Sequence, residues 1–357
     1  AMESVGISRN FWNGKNVFLT GHTGFKGGWL SIWLSSMGAN IHGYSLQSKT
    51  TVNLFSEAGI ESQIKSSTIA NICNVESLQK AISLARPDIV IHMAAQPLVR
   101  YSYKNPVETY QTNVMGTINL FEAIKKVPTV RAIVNITTDK CYENREWIWP
   151  YRENEPMGGI DPYSSSKACA ELVTSAYRKS FFSNENVYLA SVRAGNVIGG
   201  GDWAEDRLIP DFFRALDLGQ PLIIRYPEAI RPWQHVLEPL AGYIMLAEKL
   251  YNNGDDFASS WNIGPDDTNN ETVEWIVEYL CAKVPNANWQ RDFEAQLHEA
   301  STLKLDSTKA KTLLGWQSQW SLEKSLDKTL EWYMAWKNNN NMLDVSMRQI
   351  HSYESSI

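Results

Sequence analysis

Short apolar runs alternating with longer amphipathic stretches organise the first half of the chain. Asn16-Val17-Phe18-Leu19-Thr20 reads as a buried strand, and Gly28 to Met37 after it as a helix. Ile41 to Tyr44 predicts a second short strand and Thr68 to Ile72 a third, with a helix over Glu76 to Ala85. Asp88 to His92 and Ala132 to Ile136 predict the fourth and fifth strands, separated by helical periodicity from Val107 to Lys126. A helix opening near Tyr163 and running to about Phe182 leads to a sixth strand, Val187 to Val192. Strands that alternate with helices in this way predict an α/β fold, a doubly wound parallel sheet covered on both faces.

The pattern loosens after Arg193. Gly199-Gly200-Gly201 and Pro210, Pro221, Pro227 and Pro232 punctuate it, with helices expected near Leu208–Leu218 and Leu237–Tyr251. The expected division is a dinucleotide-binding domain over 13–193, with late sheet segments also from 222–252. A smaller mixed α/β substrate-binding lobe follows from 194–221 and 253–336. Asn338 to Asn341 should end a Trp-rich last helix, leaving a 337–357 tail that is disordered or weakly docked.

Composition narrows the function classes. The formal charge of -6 gives no general electrostatic reason to bind nucleic acid or an anionic membrane. No apolar run reaches the roughly 20 residues of a spanning helix, and the polar start is no signal peptide, so a cytoplasmic protein is expected. Cys73, Cys141, Cys169 and Cys281 form no Cys-x-x-Cys pair, and the six histidines have no metal-ligand spacing, so no metal is expected. Most of the fourteen tryptophans should be core. Trp203 and Trp233, in loops of ligand-binding type, are the candidates for stacking on a ligand ring.

Gly21-x-x-Gly24-x-x-Gly27 lies where the first strand turns into the first helix. Backbone N–H groups and the helix dipole there can hold a pyrophosphate, and glycines let the backbone approach it. This placement makes the sheet one of Rossmann type. No acidic residue follows the second strand to bond the adenosine ribose. Ser45 stands there instead, with Lys49 able to favour a 2′-phosphate, so NAD is expected without excluding NADP.

Asp161-Pro162-Tyr163-Ser164-Ser165-Ser166-Lys167 places a phenol and an ammonium four residues apart on a helix that Pro162 can open. A fixed cation beside a phenol, whose free pKa is about 10, favours the phenolate and makes it a usable base.

Taken with the glycine turn, the Ala94-Ala95-Gln96 strand end, Asn113 in Thr112-Asn113-Val114-Met115-Gly116-Thr117 and the Thr137-Thr138 strand end, this pair resembles the extended short-chain dehydrogenase/reductases, from about Asn13 to Trp336. The resemblance implies that Tyr163 is the base on a sugar hydroxyl, that Lys167 holds the nicotinamide ribose and lowers the tyrosine pKa, and that Thr138 assists. It implies cofactor contacts from Gly21, Thr23, Gly24, Phe25, Lys26, Gly27, Ser45, Asn71, Ile72, Ala94, Ala95, Gln96 and Thr112, besides Tyr163 and Lys167. Asn113 has either a helical, structural role or a part in the site.

Thr138-Asp139-Lys140 resembles the nucleotide-sugar 4,6-dehydratases, which place an acid directly after the threonine. Lys140 departs from the commoner glutamate, and with Gly21-His22-Thr23-Gly24-Phe25-Lys26-Gly27 and Arg231-Pro232-Trp233-Gln234-His235-Val236 it resembles the subgroup acting on CDP-linked glucose. The resemblance implies C4 oxidation, loss of water across C5 and C6, and return of the hydride to C6, with Asp139 as acid and Lys140 as candidate base. Arg193, Asn196, Arg207 and Arg231 fall in loops where the family holds the sugar diphosphate, and arginine matches phosphate geometry. A 4,6-dehydratase or 4-epimerase for another nucleotide sugar, or a non-catalytic nicotinamide-sensing protein, are the alternatives. A homodimer or dimer of dimers, paired through Val107–Lys126 and the Tyr163 helix, is implied as well.

Overall fold

Alternation along the strands decides which face of the sheet each side chain serves. In β1 (Asn16–Thr20), Val17 and Leu19 join one buried cluster while Phe18 joins another. The same split recurs in β4 (Ile89–His92), where Ile89 and Ile91 oppose Val90, and in β5 (Ala132–Ile136), where Ala132 and Val134 oppose Ile133. Both faces are therefore covered, which is why these strands read as continuous apolar runs. The structure, a computed structural model, describes residues 6–265, 271–293 and 303–357.

With β2 (Asn40–Ser45), β3 (Ser66–Ile69), β6 (Tyr188–Ala194) and β10 (Ser260–Ile263), these strands form a seven-stranded sheet in the order β10-β6-β5-β4-β1-β2-β3. Every pairing is parallel. The strand order reverses between β1 and β4, so a crevice opens beyond their carboxyl ends, where such sheets bind ligands.

The long helix predicted over Val107–Lys126 is observed as Pro106–Tyr110, a π turn over Gln111–Met115, and Gly116–Ile124. Asn113 sits in the π turn, a feature frequent at functional sites. The Tyr163 helix is α-helical over Pro162–Tyr177, and Asp161 caps it by accepting a hydrogen bond from the Ser164 N–H. A short π segment, Arg178–Phe182, prolongs it.

Three expectations are corrected. The third strand lies at Ser66–Ile69, earlier than Thr68–Ile72, because its edge position leaves it half-exposed and without a clear apolar run. The last sheet strand comes from 260–263, not from 222–252. Within the latter stretch, the helix Leu237–Asn253 packs on the sheet, while β8 (Leu222–Ile224) pairs with β11 (Trp289–Arg291) outside it. There Leu222 and Ile224 join Phe212, Ile276, Leu280 and Leu326 in a separate core. A further two-stranded ribbon joins β7 (Val197–Ile198) to β9 (Gln234–His235).

The tail is neither disordered nor weakly docked. Met342–Glu354 is a helix whose Val345, Ile350 and Tyr353 are buried, with Trp332 Nε1 donating to Ser346 Oγ at 3.0 Å. Its Tyr353 hydroxyl donates to Glu238 at 2.6 Å, and the same carboxyl accepts the Gln319 and Trp320 N–H groups. Burial nevertheless pushes Glu238 up to about 7, against the pull of those donors. A carboxyl raised in the fold contributes stability below its unfolded pKa and loses it as pH climbs through the folded value. Stability to denaturant should thus fall by about 3 kcal/mol between pH 4.5 and 8 on this account. Glu238→Gln should flatten that part of the profile. An unchanged slope in the variant would show that other groups carry it.

Candidate active site

The turn after β1 shows why glycine is required there. Gly21 has φ 81°, a left-handed value, and a Cβ on it would lie 2.9 Å from the Ala94 nitrogen. A Cβ on Gly27 would lie 2.0 Å from the Gly21 carbonyl oxygen, so helix and turn touch backbone to backbone. Phe25–Ser36 begins on Gly24 with no side-chain cap, which leaves its first N–H groups directed at the crevice. Such a cradle fits a dinucleotide pyrophosphate.

The crevice continues into a cleft of about 970 Å³ running from this turn to β8. Gly21, Thr23, Gly24, Phe25, Lys26, Gly27, Ser45, Ile72, Ala94, Ala95, Gln96 and Thr112 all line it, as do Thr138, Asp139, Lys140, Tyr163 and Lys167. Thr23 Oγ1 lies 2.9 Å from Ser45 Oγ and donates to the Leu46 carbonyl at 2.7 Å, tying the glycine turn to the end of β2. Lys49 lies over the Tyr101 ring at 4.7 Å, in the same wall. Asn71 is not in the wall. Its carbonyl accepts the Tyr44 hydroxyl and its side chain accepts the Cys73 N–H, which forms the turn after β3.

At the reacting end, the terminus of β5 and one face of the Tyr163 helix meet. Lys167 Nζ donates to the Ile136 carbonyl at 3.2 Å, and Thr138 is hydrogen-bonded with Tyr163. Burial holds the Tyr163 phenol up at about 12, against the opposing pulls of Thr138 and Arg207. In the protein alone, desolvation outweighs these pulls. Desolvation also brings Lys167 down to about 8, with Glu171 opposing it.

Asp139 is 2% exposed, and its Oδ1 accepts the Thr138 hydroxyl at 3.0 Å. Its Oδ2 has no hydrogen-bond partner among the described residues and faces the Gly195 backbone, where an added Cβ would lie 3.2 Å away. Desolvation raises its pKa despite Lys140 and Arg231 nearby. Such surroundings favour the protonated carboxyl over the ion relative to an exposed aspartate. Lys140 follows it, half-buried, on the cleft wall.

Asn113 makes a structural lock. Its side chain accepts the Gln96 N–H at 2.9 Å and donates to the Gln96 carbonyl at 3.1 Å and to Ser166 Oγ at 2.8 Å. The Ala95–Gln96 strand end is thereby joined to the Tyr163 helix.

Of the four predicted substrate residues, Asn196, Arg207 and Arg231 line the cleft. Arg207 pairs with Asp202 at 2.8 Å, and Arg231 is buried and donates to the Ile230 carbonyl. Arg193 is corrected. It is buried against Glu171 at 2.8 Å, also bonds the Tyr142 hydroxyl, and lies outside the cleft wall. It sits on β6, whose inner positions face the core and not the ligand.

Trp233 lies in the cleft wall with its indole N–H unpartnered among the described residues. Trp203 also lines it, packed edge-on against Trp332 and Trp336. Sequence reasoning missed Arg100 and Arg225, both in the wall and both bridged to Asp206. It also missed that Lys26 donates to the Tyr243 hydroxyl at 2.9 Å, its pKa lowered to about 7 by burial and by Lys167. No local motif marks these contacts, because each joins segments far apart in the chain. Among the described residues, no cluster of His, Cys, Asp and Glu is placed to hold a metal, and no helix is long and apolar enough to cross a membrane.

Residues 18–329 match the family described as GDP-mannose 4,6 dehydratase. The CDP-glucose 4,6-dehydratase of Salmonella typhimurium is 54% identical over 356 residues, covering 98% of this chain and 99% of that protein. Two solved structures share the fold at lower identity. UDP-glucose 4-epimerase of Thermotoga maritima with UDP-glucose has a TM-score of 0.77 at 24% identity, over 90% of this chain and 99% of that one. The dTDP-glucose 4,6-dehydratase of Bacillus anthracis in complex with NAD has a TM-score of 0.74 at 23% identity, over 92% and 99%.

Proposed function

The chain belongs to the GDP-mannose 4,6 dehydratase family, and from that premise we propose that it converts CDP-D-glucose to CDP-4-keto-6-deoxy-D-glucose. The coarser statement, an NAD-dependent nucleotide-sugar 4,6-dehydratase, rests on the 54% identical relative across nearly the full chain. Asp139 is the observation that carries the chemistry. A buried carboxyl on the cleft wall, one oxygen of which has no hydrogen-bond partner among the described residues, can protonate a leaving hydroxyl, which an epimerase or a cofactor sensor does not need.

The residues divide the work as follows. Tyr163 takes the C4 hydroxyl proton, with Thr138 orienting that hydroxyl and Lys167 supplying the cation that favours the phenolate. The cradle of Gly21, Gly24 and Gly27 would hold NAD, which would supply a reversible hydride acceptor for C4 and C6 with no net redox change. A 4-ketone makes the C5 proton acidic. Lys140 then removes that proton while Asp139 gives its own to the C6 hydroxyl, and water departs. As the hydride returns to C6, Lys140 gives its proton back to C5, and the proton held by Tyr163 exchanges through solvent to restore Asp139, so the sequence balances. Asn196, Arg207 and Arg231 hold the sugar diphosphate in the same cleft.

Incubation with NAD and, separately, CDP-, dTDP-, UDP- and GDP-glucose tests the reading. The expected result is the near-ultraviolet absorbance of a 4-keto-6-deoxy product in base, greatest with CDP-glucose. Turnover confined to another nucleotide would overturn the cytidine assignment, and 4-epimer formation without dehydration would overturn the reaction. The subunits pair through the two helices flanking Asn113 and Tyr163. Val107, Met115, Leu172 and Phe181 stand exposed there, an apolar set that a second copy would cover. A monomer by sedimentation at micromolar concentration would remove that assignment.

A further inference from the structure

Three successive residues at the end of β5 each engage one side chain of the Tyr163 helix. The Ile136 carbonyl takes Lys167, the Thr137 hydroxyl donates to Glu171 at 2.5 Å, and Thr138 meets Tyr163. Tyr163, Lys167 and Glu171 are spaced four apart, so they share one helix face. The third position of this ladder has no part in the chemistry above. Glu171 is nonetheless 4% exposed, a burial that an ionised carboxyl tolerates only with several donors.

Those donors come from both neighbouring strands. Besides Thr137 on Oε1, the Oε2 atom accepts Ser191 Oγ at 2.8 Å and Arg193 Nη2 at 2.8 Å, with Ser260 Oγ at 3.4 Å. These contacts keep the Glu171 pKa low despite its burial. The carboxylate is thus a fixed charge one helical turn from Lys167, bonded to the residue between Ile136 and Thr138.

We propose that Glu171 is a positioning residue for the dehydratase reaction, whose buried charge keeps Lys167 cationic and whose bond to Thr137 holds Thr138 in register with Tyr163. The inference rests on the reaction assigned above. Its electrostatic part follows from the surroundings of Lys167. Glu171 acts on it from its own helix and Cys141 from the turn after β5, with His92 on β4 and Lys26 across the cleft also in its field. His92 is neutral between Thr20 and Thr117, with its pKa near 3, and burial raises the Cys141 thiol well above its usual value. Arg193 is spent on Glu171 itself. Among these groups Glu171 is the principal charge holding the proton on Lys167.

The test compares Glu171→Gln, Glu171→Asp and Ser191→Ala. In Glu171→Gln, the alkaline limb of the pH profile for dehydration should move down by about one unit, a tenfold loss of cationic Lys167 at a given pH above it. Glu171→Asp keeps the charge and should restore most of the limb. Ser191→Ala removes one hydrogen bond and no charge, and should leave the limb in place. Because Glu171→Gln strands the Arg193 guanidinium and can impair folding, Glu171→Gln with Arg193→Met provides the same reading without an unpaired buried charge.

The pH dependence of NADH binding, followed by cofactor fluorescence, gives a second readout without turnover. It should show the same downward shift, since Lys167 holds the ribose only as a cation. A limb unmoved in both glutamine variants, or moved equally by Glu171→Asp, would overturn the proposal. Wild-type protein that binds NADH but dehydrates no nucleotide sugar would overturn the reaction while the binding profile still decides the role of Glu171.

Discussion

Asp139→Asn should lower dehydration by about a hundredfold to ten-thousandfold, the range that positioned acids supply, while the earlier chemistry at C4 persists. The asparagine fills the same space and can still bond Thr138, but it has no proton to give a leaving hydroxyl. The C5 proton should therefore continue to exchange with solvent, because the 4-ketone still forms and Lys140 is untouched. Deuterium incorporation at C5 in recovered sugar nucleotide, set against the rate of product release, separates the two steps. Loss of exchange in parallel with turnover would place Asp139 in C4 oxidation or in binding instead. The basis is physical: desolvation raises the Asp139 pKa, and its Oδ2 has no hydrogen-bond partner among the described residues. Protonation is thus maintained in a pH range where an exposed aspartate would be ionised.

Gly27→Ala should have the largest effect on the cofactor. An added Cβ would stand 2.0 Å from the Gly21 carbonyl oxygen and 2.9 Å from the His22 Cα. Both neighbours are backbone, so no side-chain rotation can relieve the overlap, and the turn must shift as a unit. Overpacking of this kind costs about 1–3 kcal/mol or more in stability. Displacement of the cradle should weaken NAD binding beyond a hundredfold, because the N–H groups no longer converge on the pyrophosphate. Calorimetric binding and thermal melts of the same preparation check both parts. Near-normal NAD affinity would show that the turn tolerates the displacement. Gly24 makes a contrast, since a Cβ there would find its nearest neighbour at 3.4 Å.

Much of the frame was legible because the signals are local. Asn16–Thr20 and Ala132–Ile136 are observed with the bounds their apolar runs predict, and Leu208–Leu218 with the bounds of its amphipathic period. Each has strong periodicity and a clear punctuating residue. β3 was misplaced because an edge strand with half its residues in solvent carries no such run. The strand Ser260–Ile263 was assigned to the lobe because it returns to the sheet after a long excursion, and only its pairing with β6 reveals its place. The docked helix Met342–Glu354 reads as a tail because its polar face dominates the composition, while only Met342, Val345, Ile350 and Tyr353 are apolar anchors in the core.

The site divides in the same way. The glycine turn and the Tyr163–Lys167 spacing are properties of a few consecutive residues, so the chain alone establishes a pyrophosphate cradle and a phenol beside an ammonium. Asp139 and Lys140 are identified by adjacency to Thr138, again within three positions. Protonation and partnership are another matter, since both depend on which distant residues close over a group. Burial raises the Asp139 pKa and lifts that of Tyr163 to about 12. Arg193 is taken from the substrate by Glu171, 22 positions away, and Glu238 is engaged by Tyr353, 115 positions away. Hydrophobic period and turn chemistry are written in the sequence and so determine the sheet and its cradle. Desolvation and ion pairing arise only when the packed sheet excludes water, and the tertiary structure alone decides them.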